Sequence, residues 1–207
     1  MGRPAAHQIH LIAIVGGSGS GKSWLANRLT TALGRRATAI PLDDFYRDRS
    51  HLSLPRRARI NFDHPRTIDW PSLAAALRRA KSGKSFTVPN YSYVEHTPLG
   101  RPRICRVEHF LILEGLWVLR PRCLAPLIDF GVYVDASARW RLGRRQERDV
   151  KERGRSRASV TRQFHDHVEP MHRRFIAPQK RRADLILQSP IDDDAFNLLL
   201  RRINDLG

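Results

Sequence analysis

The chain has 207 residues, enough for one or two domains at about 150 residues each. Its 41% hydrophobic and 28% charged content, with 13 Gly and 13 Pro, excludes wholesale disorder and collagen-like or linker-like material. Charge is the outlier: 37 basic against 20 acidic residues leave +17, which suits polyanionic partners such as phosphates, nucleotides, nucleic acid or an anionic membrane surface.

A competing source of that excess is biased codon usage, since 32 of the 37 cations are Arg. Cys105 and Cys123 make no disulfide framework and lack close metal-ligand company, so a reducing cytosol and a cytoplasmic protein are expected. The longest apolar run, 110–119, is broken by Glu114 and falls short of the ~18–20 residues of a membrane span. Arg3 precedes an apolar stretch, a faint signal-peptide pattern. That stretch runs straight into a glycine loop with no cleavage-like site, so it reads as a first core strand. Gly2 lacks a Ser or Thr at position 6, and the myristoylation pattern fails.

Along the chain, residues 9–15 form a β-branched run ending in glycines, as a buried parallel strand does. Residues 21–33 read as a helix with Leu25, Leu29 and Leu33 on one face and Gly34 as the stop. Residues 37–42 are a second apolar run, ending in Asp43. The spacing of Leu73, Ala76, Leu77 and Ala80 predicts a helix over 71–82, started by Asp69 and Pro71 and stopped by Gly83. Residues 110–113, 131–135 and 184–187 read as further strands. Residues 192–205 make a closing amphipathic helix, with Asp residues in its first turn and Phe196, Leu199, Leu200 and Ile203 on one face. This alternation predicts an α/β fold with a central parallel sheet flanked by helices, its active residues gathered at one sheet edge.

Two stretches, 44–70 and 84–104, are rich in Arg, Pro and aromatics and too long for simple turns; they are expected to be substrate-binding insertions. Residues 139–182 hold fifteen cations against five acids, a local +10, and are expected to form a mobile basic lid. The whole chain, 1–207, is thus one domain with two insertions and a lid.

Gly16, Gly17, Ser18, Gly19, Ser20, Gly21, Lys22 and Ser23 match G-x-x-x-x-G-K-[ST], directly between the first strand and the first helix. The glycines let consecutive amides turn inward around an anion, and the helix adds its positive N-terminal end. Lys22 would reach the β and γ phosphates and Ser23 would ligate Mg²⁺, so nucleoside triphosphate binding is predicted. Glu114 ends the 110–113 run, where a second Mg²⁺-directed carboxylate belongs. Asp43 ends the second run beside Asp44, Phe45 and Tyr46. Neighbouring carboxylates in an extended segment point to opposite faces, so one of the pair faces the phosphates, placed to accept a proton from an acceptor hydroxyl.

With these residues stand others in the same order: DDFY at 43–46, NFDHP at 61–65 followed by Asp69, Pro89, Tyr91 and His96, LILEG at 111–115, YVDA at 133–136, R-x-x-RDV-x-ERGR at 145–155 and VEPMHRRFIAPQKRRADLI at 168–186. Together they resemble the uridine/cytidine kinases of the uridine kinase–phosphoribulokinase superfamily of P-loop kinases, over most of the chain. The resemblance implies transfer of the γ-phosphoryl group of ATP, with Mg²⁺, to the 5′-hydroxyl of a pyrimidine ribonucleoside, with Asp43 as general base. It places Tyr46, Phe62 and Asp63 in the nucleoside pocket, Asp63 holding the ribose hydroxyls with Arg145 and Gln163. Tyr91 and His96 would read the base edge, Arg148 and Arg153 would approach the phosphates, and Arg155 would close on the nucleoside. Arg141, Arg145 and Arg148 recur at helical spacing and would share a face. His64 is expected to be structural. Ser92 and Pro98 stand where the family usually has Asp and Arg. Two other readings are a related kinase acting on another hydroxyl (ribulose 5-phosphate, pantothenate or another riboside) and, from the charge, a P-loop protein that binds nucleic acid, for which no recognition fingerprint is visible. A small-molecule partner is expected, and neither membrane nor nucleic acid. A homo-oligomer is left open.

Overall fold

A computed structural model describes residues 8–207; Gly2 and Arg3 lie outside the described residues. Strand β1 (His10–Gly16) leads into helix α1 (Lys22–Leu33), and β2 (Ala37–Pro41) follows. The first insertion holds the short helix α2 (Leu54–Ala58) and leads to α3 (Trp70–Lys81), which Asp69 caps by accepting from the Ser72 amide. The second insertion folds into two small antiparallel ladders. One pairs β3 (Phe86–Val88) with β6 (Arg103–Cys105); the other pairs β4 (Tyr91–Ser92) with β5 (Thr97–Pro98). Next come β7 (Phe110–Gly115), β8 (Phe130–Asp135), α4 (Ala138–Arg153) and α5 (Arg157–Gln163). A run of wide π turns and the single α turn α6 (Glu169–Met171) then leads to β9 (Leu185–Gln188) and α7 (Asp193–Asn204).

The five long strands form one parallel sheet in the order β2-β7-β1-β8-β9. Alternate residues of β1 serve opposite faces, as the two-residue strand period requires. Leu11, Ala13 and Val15 face α3, Trp117 and Tyr133, while Ile12 and Ile14 face α1 and α7 through Leu25, Leu29, Phe196, Leu199 and Ile203. With both sides covered, the strand-ending loops are left at one edge. Register aligns them: Ile14 pairs with Glu114, Glu114 with Pro41, and Gly16 with Val134.

The basic stretch 139–182 divides in two. Helices α4 and α5 form an arm over the glycine loop, whereas beyond them Phe164, Val168, Ile176 and Gln179 are buried in the body. No helix among the described residues is long and apolar enough to cross a membrane. Cys105 is buried, Cys123 exposed, and both are free thiols.

Candidate active site

At the carboxyl edge of β1 the chain must reverse tightly to start α1, and Gly19 and Gly21 do this with φ of 83° and 97°. The loop is packed as well as bent. A Cβ on Gly19 would lie 2.5 Å from the Arg141 carbonyl oxygen, and one on Gly17 would lie 2.7 Å from Arg141 Cδ. Arg145 Nη1 donates to Ser18 Oγ at 2.6 Å, so the arm is latched to the loop.

Ser23, at the start of α1, donates from its hydroxyl to Glu114 Oε1 at 2.9 Å. Glu114 Oε2 is buried without a hydrogen-bond partner, and burial pushes the carboxyl above its ordinary range against the pull of Lys22. An orphaned carboxylate oxygen beside a hydroxyl is a hard-oxygen donor set that a divalent cation would complete, so the residues present fit Mg²⁺.

Asp43 lies in the turn after β2, half-buried. Burial raises its carboxyl above the ordinary aspartate range, while the Lys22 charge, the Tyr46 hydroxyl, Arg153 and Arg148 act in the opposite direction. Its neighbour Asp44 turns the other way, to an ion pair at 2.7 Å with Arg103 of β6. Asp63 joins the same neighbourhood: burial raises it most, and the charges of Arg145, Asp43 and Lys22 all bear on it.

An aromatic cluster stands next to these acids. Tyr46 packs edge-on against Phe62 and tilted against Tyr91, each with ring centroids 5.1 Å apart. His96 stacks on Phe62 at 5.0 Å, and its backbone takes φ of 52° in the β4–β5 turn. Ser92 and Pro98 are ladder positions of that hairpin, Pro98 opposite Tyr91. Tyr93, which sequence reasoning passed over, lies under the Arg153 guanidinium at 5.7 Å and so joins the hairpin to the arm. His64 is structural as expected, accepting from the Arg66 amide at 3.1 Å and packing on Phe175.

The arm's arginines are organised by one residue the sequence did not single out. Asp149 is fully buried, with Arg148 at 2.8 Å, Arg145 and Arg153 at 3.5 Å and Arg155 at 3.9 Å. Gln163 Oε1 accepts from Arg145 at 3.0 Å and from Arg155 at 2.5 Å, linking both to the arm's network. Arg141 shares the face of Arg145; its Nη2 pairs with Glu169 at 2.6 Å and its Nε donates to the Ala136 carbonyl, while Nη1 is buried without a hydrogen-bond partner. The charges of Lys22, Arg148 and Arg153 thus bear on Asp43, those of Arg145 and Asp43 on Asp63, and those of Lys22 and Asp43 on Glu114, so these groups share one neighbourhood with Tyr46 and the rings packed on it. The arrangement suits an anion on the loop, a divalent cation at Ser23 and Glu114, and a flat, hydroxyl-bearing acceptor on the aromatic side.

Comparison with known proteins agrees with this geometry. A model of the phosphoribulokinase/uridine kinase family matches residues 11–195. A uridine kinase of Staphylococcus carnosus is 40% identical over 198 residues, 95% of each chain. One from Halobacterium salinarum is 36% identical over 192 residues, covering 93% of this chain and 85% of that one. Among solved structures, the phosphoribulokinase of Rhodobacter spheroides superposes with a TM-score of 0.63 at 20% identity, over 87% of this chain and 70% of that one, a likeness of fold.

Proposed function

Because this chain belongs to the phosphoribulokinase/uridine kinase family, we propose that it transfers the γ-phosphoryl group of ATP to the 5′-hydroxyl of uridine or cytidine, giving the nucleoside monophosphate and ADP. One observation supports the acceptor assignment: the Lys22 charge of the glycine loop and the Tyr46 hydroxyl both bear on the Asp43 carboxyl, and Tyr46 packs on Phe62 and Tyr91, with His96 stacked on Phe62.

In this reading the loop amides from Gly16 to Ser23 and the Lys22 ammonium hold the triphosphate. Asp63 accepts from the ribose hydroxyls, and Phe62 and Tyr91 flank the base, since a carboxylate accepts two O–H donors and aromatic rings pack on a flat heterocycle. Asp43 takes the proton of the 5′-hydroxyl. The oxygen attacks the γ-phosphorus in line, the bond from that phosphorus to the β,γ-bridging oxygen breaks, and ADP leaves with the bond's electron pair. Burial raises the basicity of Asp43, which suits a proton acceptor working near neutral pH. Ser23 and Glu114 would hold Mg²⁺, which when bound neutralises charge on the β and γ phosphates. The arm of α4 and α5 acts as the lid. Its Arg145 latch, with Arg148 and Arg153 alongside, keeps water out and meets charge on the transferring group. Losing one such charge-assisted contact would raise the barrier by roughly 3–4 kcal/mol, by analogy with a lost oxyanion donor.

The test is ADP release coupled to a panel of uridine, cytidine, ribulose 5-phosphate and pantothenate. Turnover with the pyrimidine nucleosides well above the ATP-only rate supports the reading. Turnover confined to another acceptor overturns it.

A further inference from the structure

Arg57 lies on α2, half-buried, near Tyr91 and His96 of the aromatic cluster. Its Nη1 donates to the Glu95 carbonyl at 2.5 Å, in the turn that joins β4 to β5 and carries His96. Its Nε is buried without a hydrogen-bond partner, and it forms no ion pair among the described residues. The Tyr91 hydroxyl is likewise buried and unpartnered. The charge of Arg57 bears on both Tyr91 and His96; for His96, burial first and Arg57 second hold the imidazole below its ordinary range.

A guanidinium only donates, and a buried donor is disfavoured until an acceptor completes it. Of the groups that distinguish pyrimidines, the 4-oxo oxygen of uracil accepts, whereas the 4-amino group of cytosine presents N–H donors. We propose that Arg57 sets base specificity, donating from Nε to the 4-oxo group of uridine and disfavouring the 4-amino group of cytidine. This rests on the nucleoside reading above and goes beyond it, because that reading leaves uridine and cytidine equal. The tether to Glu95 fixes the fork, so discrimination comes from an unpaired donor facing a donor, a mismatch that polar sites reject more strongly than a missing methylene.

The experiment measures kcat/KM for uridine, cytidine and pyrimidin-2-one riboside, which lacks any 4-substituent, with wild type, Arg57→Gln and Arg57→Lys. Wild type is expected to favour uridine over both others by about tenfold or more. Arg57→Gln, whose amide both donates and accepts, should bring the uridine-to-cytidine ratio toward one with the KM for ATP little changed, and Arg57→Lys should keep part of the preference. The wild-type comparison of uridine with the pyrimidinone riboside needs no variant, so a substitution that fails to fold leaves the idea open to refutation. Equal efficiency of wild type on uridine and cytidine, or a ratio unmoved in Arg57→Gln, overturns the role of Arg57 alone. A wild-type enzyme inert on all three nucleosides but active on another hydroxyl overturns the nucleoside reading and this inference together.

Discussion

The Ser23 hydroxyl donates to Glu114 Oε1 at 2.9 Å, tying the first turn of α1 to the end of β7 across the sheet edge. The other oxygen of the same carboxylate is buried and unpaired. A folded chain tolerates such a group when something of opposite charge completes it in use.

Glu114→Gln is therefore expected to separate function from stability. Turnover should fall by roughly two orders of magnitude and need more Mg²⁺, since a metal contributes several kcal/mol of charge stabilisation. Thermal melting of the metal-free protein should hold or improve, by on the order of 1 kcal/mol, because a buried unsatisfied anion is removed. A fall in metal-free stability with the Mg²⁺ requirement unchanged would contradict the assignment.

Asp43 makes the pH prediction. Burial sets its folded pKa above the unfolded value, with Lys22 and the arm arginines pulling it back in part. A base must be ionised to act, so kcat/KM should decline as pH falls through that raised pKa, on an acid limb above the ordinary aspartate range. The stability sign is opposite to that of a salt-bridged aspartate: the fold favours the neutral acid, and stability from this group is lost as pH rises from the unfolded toward the folded pKa. Asp43→Asn should thus lower turnover by about 10²–10⁴-fold, leave ATP binding largely intact, and melt no lower than wild type at neutral pH. A titration of rate and melting temperature against pH checks both signs.

Asp149 is the counter-charge for four arginines, and its removal takes from buried Arg145 its ion pair, leaving it the longer-range charge of Asp63. Breaking such a buried pair costs roughly 3–5 kcal/mol. The loss should appear as local opening, because Arg148, Arg153 and Arg155 are all partly exposed. For Asp149→Ala, amide exchange over α4 and α5 should accelerate while the sheet stays protected, and the KM for ATP should rise about tenfold. Uniform acceleration across the sheet would instead mark Asp149 as a global core residue.

Gly19→Ala tests the fit of arm to loop. The new methyl would meet the Arg141 carbonyl at 2.5 Å in a left-handed backbone conformation, so both strain and clash act at the triphosphate cradle. A cost of about 1–2 kcal/mol is expected from the backbone alone, with a larger loss of ATP affinity measured by titration calorimetry. Gly34→Ala, with φ of 58° and open space around its Cβ, supplies the control for the backbone term.

The long elements were legible because each writes its burial into the chain. Residues 9–15 are a β-branched run because both faces of β1 are covered, and the Leu25–Leu29–Leu33 stripe marks the side of α1 that meets the sheet. The glycine loop was legible because Gly19 and Gly21 take positive φ and a Cβ on Gly16, Gly17 or Gly19 would meet its neighbours, so those positions favour glycine. The ladders within 84–104 were not: they run two or three residues, so the buried-exposed-buried order of Phe86, Thr87 and Val88 is too short to read as a period, and Arg103 and Ile104 are both exposed. The burial of Phe164, Val168 and Ile176 was masked by the surrounding cations and by π turns that break the 3.6-residue period. Asp149 was hidden for a different reason. Its role comes from arginines that converge only once the arm has folded, and a lone acid in a basic run reads as one more surface charge.

The central claim is the position of the transferred phosphate. Incubation with ATP and uridine, followed by phosphorus–proton correlation NMR, should show the new phosphate coupled to the protons on C5′, and 5′-deoxyuridine should be inert. A phosphate coupled to the proton on C2′ or C3′, or product formed equally from 5′-deoxyuridine, would contradict the placement of Asp43 against the 5′-hydroxyl.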